Sequence, residues 1–161
     1  MSQPKTRVMF FCLGNICRSP LGEGLFAHKV AQRGLSDRFH VESSGTSAYH
    51  VGEPPDLGSQ RVARQRGGLD ISGQRSQQLT RRHVETFEVV VAMDRSNQGN
   101  AERLAPGHSV LLLRDYEPNE RERGRDVPDP WGGGPQGFET VYDIVDRCCE
   151  ALLDSILSEE G

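Results

Sequence analysis

The sequence predicts an α/β fold, a three-layer sandwich in which helices flank a four-stranded parallel sheet. Four short apolar runs rich in Val, Leu and Phe alternate with segments whose apolar residues recur at helical spacing, the pattern of βαβ units. The first run stops at a cysteine and passes through a Gly-Asn pair into a helix that starts at a proline. The 161 residues suit one domain, 1–161, with room for a real core and not for two ordinary ones.

Arg7 to Phe11 reads as a buried parallel strand. Pro20 fits the first turn of a helix, where its missing N–H costs nothing. Leu21, Leu25, Phe26, Val30 and Ala31 then recur at helical spacing, and Gly34 closes the helix. Phe39 to Ser43 is a second strand, followed by the loop Ser44 to His50. Pro54-Pro55 opens a helix that runs to about Arg66 and ends at Gly67-Gly68. Gly73 to Gln78 is polar without periodicity, and a short helix follows over Thr80 to Val84 with Thr80 as N-cap. Phe87 to Ala92 is the third strand, Asp94 to Leu104 a helix, and Ser109 to Leu113 the fourth strand. Asp115 to Gly134, with its charges, prolines and three consecutive glycines, reads as a long functional loop. Phe138 to Leu157 is the last helix, with Val141, Ile144, Val145, Cys148, Leu152 and Ile156 on one face.

Composition narrows the function. A formal net charge of -4 leaves no basic field to hold a nucleic acid or an acidic membrane. Arg81-Arg82 and the interrupted run Arg121 to Arg125 read as solvated faces. Met1 to Thr6 is polar, with no signal segment, and no run approaches the ~20 apolar residues of a membrane span. Four cysteines, two in the opening loop and two adjacent in the last helix, fit reduced thiols in a cytoplasmic enzyme better than a secreted disulfide framework.

The run Cys12-Leu13-Gly14-Asn15-Ile16-Cys17-Arg18-Ser19-Pro20 carries the chemistry. Strand, tight loop and helix N-terminus aim several backbone N–H groups into one concavity of phosphate size. A helix N-terminus and a guanidinium favour the thiolate, so Cys12 is the candidate nucleophile. The planar fork of Arg18 can hold two phosphoryl oxygens at once. Gly14 lets the backbone approach the anion, and Asn15 tolerates a left-handed conformation. Ser19 can donate its hydroxyl to the cysteine sulfur. A phosphate ester also needs its leaving oxygen protonated and a water activated afterwards. Asp129, between Pro128 and Pro130, is the candidate, although Asp-Pro equally starts a turn and spacing alone leaves both readings open. Tyr49 and Trp131 are candidate aromatic walls for an aryl group. His50 reads as structural or exposed, Asp56, Asp94 and Asn97 as helix starts and loop anchors, and the histidines have no metal-site spacing.

These residues resemble the signature of the low-molecular-weight protein tyrosine phosphatases. The match extends through Ser44-Gly45-Thr46, Ala92-Met93-Asp94 with Asn97, and Asp129-Pro130, over nearly the whole chain. The resemblance implies a metal-free reaction without cofactor, with Cys12 as nucleophile, Arg18 binding the phosphoryl group together with the loop Leu13 to Cys17 and Ser19, and Asp129 as acid and then base. It implies a phosphotyrosine-containing protein or a small aryl phosphate as substrate, and a monomer is the default. Tyr49 stands where many bacterial members carry tryptophan. Gln74 and Gln77 stand where a histidine and a second arginine are often found, which leaves support of the loop from this segment open. Trp131-Gly132 replaces the mammalian tyrosine pair, so regulation by phosphorylation there is not expected.

Other activities share this scaffold. An arsenate reductase needs further cysteines to relay a disulfide, and none lies between Cys17 and Cys148. Protein-arginine phosphatases resemble the chain but differ by a threonine at the position of Ile16, whose apolar wall suits a phenyl ring. A phosphate-binding module or phosphocysteine carrier would not need both Arg18 and Asp129. Cys17, five positions after Cys12, is either a packing residue or the partner of a reversible protective disulfide.

Overall fold

The computed structural model describes residues 4–160, so Met1 to Gln3 of the polar N-terminal stretch, and Gly161, lie outside the described residues. Strands β1 (Thr6–Cys12), β2 (Phe39–Gly45), β3 (Val89–Ala92) and β4 (Leu111–Leu112) form one sheet in the order β2-β1-β3-β4. Every pairing is parallel. Helices α1 (Arg18–Gln32), α2 (Leu57–Gly67), α3 (Arg81–Thr86), α4 (Arg95–Leu104) and α5 (Pro135–Glu160) cover it. No helix among the described residues is long and apolar enough to cross a membrane.

The period of two along β1 sorts its side chains between two cores. Val8, Phe10 and Cys12 join the larger one, under α1, α2 and α5, with Leu21, Phe26, Val141, Val145 and Leu152. Met9 and Phe11 join the smaller one, with Val84 of α3 and Ala101 of α4. Val8 to Phe11 are therefore fully buried, as a continuous apolar run requires. Close approach of α1 depends on Gly22, where a Cβ would stand 2.8 Å from the Phe10 ring and 2.9 Å from Met93 Cε.

β1 is where the chain order reverses: its successor by connection, β2, lies on one side and β3 on the other. Loops leaving the carboxyl ends of β1 and β3 run apart there and open a crevice, the usual ligand position in such sheets.

Several boundaries differ from expectation. β2 continues through Ser44 and Gly45, because Gly45 N donates to Gln77 O at 2.8 Å and its carbonyl takes Leu79 N at 2.7 Å. The polar segment without periodicity thus borders the sheet. Phe87 ends α3 rather than starting β3, donating its N–H to His83 O. β4 is only two residues long: the place beside Met93 is taken by Val127, whose N–H reaches Met93 O at 2.9 Å. Leu113 to Tyr116 then form a 3-10 turn, as do Glu120–Glu122 within the long loop, and α5 begins at Pro135, three residues before Phe138.

Candidate active site

The loop from Cys12 to Arg18 is held from outside. The carbonyl of Cys12 accepts Thr46 N at 2.9 Å, and that of Leu13 accepts Ser47 N at 2.9 Å and Ser47 Oγ at 3.0 Å. Gly14 O takes Ser76 Oγ at 3.2 Å, Ile16 O takes Asp56 N at 2.7 Å, and Cys17 O takes Ser59 Oγ at 2.9 Å. In a planar trans peptide the N–H points opposite to the carbonyl. Carbonyls anchored outward therefore turn the following N–H groups inward, toward a cavity of about 230 Å³. α1 begins at Arg18, so its N-terminal partial charge faces the same space.

Two special positions make the loop possible. Asn15 takes φ 57° and is buried, with its side chain fully engaged: Nδ2 donates to Ser19 Oγ (2.8 Å) and Ser43 Oγ (3.0 Å), and Oδ1 accepts Gln77 N (3.0 Å). Gly45 lies directly behind, where a Cβ would sit 2.7 Å from Leu13 O and 3.0 Å from Asn15 N. Gly14 lines the cavity and has a second use besides. Its missing side chain makes room for the His50 ring, whose Cδ2 would be 3.1 Å from a Cβ there.

Cys12, 2% exposed, lies at the cavity base with Sγ 3.1 Å from Ser19 Oγ. Ser19 Oγ also sits 3.3 Å from Ser44 O, so its single hydrogen can turn to the carbonyl beside a thiol or to the sulfur of a thiolate. Arg18 lines the cavity and is buried. Its Nη1 donates to Asp94 Oδ2 at 2.7 Å and to Val127 O at 2.9 Å. Nη2 is 4.0 Å from Asp129 Oδ2, and Nε has no partner among the described residues. One edge of the fork is thus fixed and the other left for two oxygens. Burial pulls the Arg18 guanidinium down, but the Cys12 sulfur and Asp94 outweigh it and hold it above its ordinary value. Asp94 serves two elements, because Oδ1 caps α4 through Asn97 N at 2.7 Å.

Asp129 is half exposed at the rim, with Oδ1 accepting Trp131 N at 3.1 Å. Leu13, Ile16, Cys17, Tyr49 and Trp131 line the cavity, as expected; Asn15 and Ser19 stand behind the loop rather than in it. Ser47 and His50 line it as well. His50 is partly exposed and held by Glu53 Oε2, 2.5 Å from Nδ1, in line with a structural role, and the cavity lining is a further placement. No spacing rule marks a histidine that reaches a site through an irregular loop. Support from the 73–78 segment is present despite Gln74 and Gln77, since it comes from Ser76 Oγ and the backbone N–H of Gln77. Gln77's own amide instead bonds Glu42 Oε1 and Ser43 O. No group of three or more His, Cys, Asp or Glu among the described residues is arranged to hold a metal ion.

A family model, low molecular weight phosphotyrosine protein phosphatase, matches residues 7–160. The chain belongs to that family. YfkJ of Bacillus subtilis, a low molecular weight protein-tyrosine-phosphatase, is 36% identical over 157 residues, covering 95% of this chain and 97% of YfkJ. Its crystal structure superposes with a TM-score of 0.90, covering all of both chains at 33% identity. The human low molecular weight phosphotyrosine protein phosphatase is 35% identical over 160 residues, 96% of this chain and 98% of its own. The structure of a Drosophila arginine phosphatase is also similar, at 29% identity and a TM-score of 0.81, covering 92% and 96%. The four-stranded parallel sheet with flanking helices is thus the family fold, and the enzyme is a phosphatase of the protein-tyrosine class.

Proposed function

We propose that this phosphatase hydrolyses aryl phosphate monoesters, phosphotyrosine in a polypeptide or a small aryl phosphate, through a phosphocysteine on Cys12. The observation that carries the reading is Cys12 Sγ at the base of a cup of inward N–H groups, with Ser19 Oγ at 3.1 Å. The cup and the free edge of Arg18 bind the phosphoryl oxygens. Cys12 thiolate attacks phosphorus, and the bond to the aryl oxygen breaks as Asp129 gives that oxygen its proton, releasing a phenol. A water then attacks the phosphocysteine and passes its proton to the Asp129 carboxylate. The S–P bond breaks, phosphate leaves, and Ser19 donates to the restored thiolate.

Cys17 sits in the same loop but in a different setting. Burial first, then Asp56 and Cys12, push its thiol up, which supports Cys12 as the nucleophile. Ile16 on the cavity wall favours a phenyl ring over a phosphoguanidine. All of these residues come from one chain, which fits a single domain acting as a monomer, and the need for reduced thiols fits the cytoplasm.

Purified protein with phenyl phosphate and with phosphoarginine tests the reading. Turnover of the aryl ester is expected, lost in Cys12→Ser and slowed by roughly 10²–10⁴ in Asp129→Ala. Full turnover by Cys12→Ser, or preferred turnover of phosphoarginine, would overturn it.

A further inference from the structure

The loop that carries Asp129 also carries a cluster of charges centred on one buried carboxylate. Glu117 has a side chain with no exposure, held between two guanidinium groups. Arg114 Nε reaches Oε2 at 2.8 Å, while Arg147 of α5 reaches Oε1 through Nε at 2.6 Å and Oε2 through Nη2 at 3.0 Å. Arg114, itself buried, donates further to Glu122 Oε2 and to the backbone carbonyl of Asp126, both at 2.9 Å. One guanidinium therefore pins the long loop at residues 117, 122 and 126.

The next residue, Val127, is the one whose carbonyl holds Arg18 and whose N–H joins Met93. Asp129 follows two positions later. Pro128, between them, borders a hollow of about 590 Å³ that Arg114, Glu117 and Arg147 also line. Val127 itself packs into the larger core, while the stretch before it is held by hydrogen-bonded charges. Buried ion triads contribute little net stability, since apolar groups of similar volume often replace them without loss. What such a triad does supply is a single geometry, because three planar donors and acceptors fit in only one arrangement.

We propose that Arg114, with Glu117 and Arg147, forms a positioning cluster for the general acid, fixing Asp129 against Arg18 and the leaving oxygen. The inference rests on the assignment of Asp129 as that acid. None of the three touches the reacting atoms; they act through the loop.

The effect belongs to proton donation and so depends on the leaving group. Arg114→Met and Arg147→Met are expected to lower kcat/KM for phenyl phosphate by about 10- to 10²-fold, the scale of an ångström-sized misplacement. With 2,4-dinitrophenyl phosphate, whose phenolate leaves without a proton, they are expected to change kcat/KM little. Arg114→Met added to Asp129→Ala is expected to cause no further loss, the mark of two groups acting as one unit. Arg114→Lys is expected to restore only part of the activity, because an ammonium cannot serve three fixed acceptors in a plane. Should Arg114→Met fail to fold, Arg147→Met, at a partly exposed position of α5, carries the same comparison. Equal losses on both esters, or undiminished loss in the Asp129→Ala background, would overturn the inference and leave a purely structural cluster. Wild-type turnover of phenyl phosphate by Asp129→Ala alone would overturn the acid assignment itself, and is read before any cluster variant is made.

Discussion

Two cysteines five positions apart in one loop have different surroundings. Both reach the larger core, but Cys12 ends a strand and meets a serine hydroxyl at 3.1 Å, whereas burial and the nearby Asp56 push the Cys17 thiol up. Both line the cavity. Peroxide converts an accessible thiolate to a sulfenic acid, and a neighbouring thiol can displace water from it to form a disulfide. If Cys17 takes that part, peroxide-treated wild type regains activity on reduction, while Cys17→Ser, left to oxidise further, regains less. Equal recovery in the two would mean that Cys17 only packs. Arg18 shows the same division of labour within one side chain. Asp94 and Val127 hold one nitrogen, so the fork is ordered before any phosphate arrives, and the orientational cost of binding is reduced.

At the scale of elements, the active loop depends on β2 as much as on β1. Gly45 pairs with Cys12 in the sheet, and its missing side chain leaves room for the loop backbone. Gly45→Ala would press a methyl group against Leu13 O and Asn15 N, where nothing can swing aside. Overpacking of this kind costs about 1–3 kcal/mol. Since 1 kcal/mol moves Tm by roughly 2–4 °C in a chain of this size, the melt should shift visibly. Weaker binding of phosphate or vanadate is expected with it, and a variant with unchanged melting and unchanged anion binding would show that the loop can yield. The sequence displays some of this plainly. Strand, Gly-Asn, Arg-Ser-Pro and helix are contiguous, so the cup and the alternation of elements can be read directly. His50, Ser47 and the second use of Asp94 cannot, because each reaches the site through tertiary placement with no periodicity to mark it. β4 is shorter than its pattern suggests for a related reason: the apolar residues Val110 to Leu113 look like one strand, but Leu113 is needed in the larger core and Val127 occupies the edge beside Met93. Asp129 is intermediate. Its spacing fits a turn as well as an acid, and the structure holds both features: Oδ1 accepts Trp131 N in the turn, and Oδ2 lies 4.0 Å from Arg18 Nη2.

Across the whole molecule, the sheet and the site differ in how they are held together. Val8 to Phe11 are sealed between two cores, whereas the loop rich in charge and proline reaches the larger core through Val127 and is otherwise tied down by polar bonds. The hydrogen bond from Arg18 to Val127 joins residues 109 positions apart, with no regular element carrying Val127. Segments with few buried apolar contacts open at lower free energy than the core around them. The loop side of the site is therefore expected to open before the sheet does. In a urea titration, phosphatase activity is expected to disappear at a lower concentration than the far-UV circular dichroism, with recovery on dilution; coincident curves would show that the 115–134 loop melts only with the sheet. A gap between the curves has a practical meaning for survival under stress. The chain would switch off while still folded, keeping its apolar strands covered and out of reach of aggregation, and would resume work once the loop closed again.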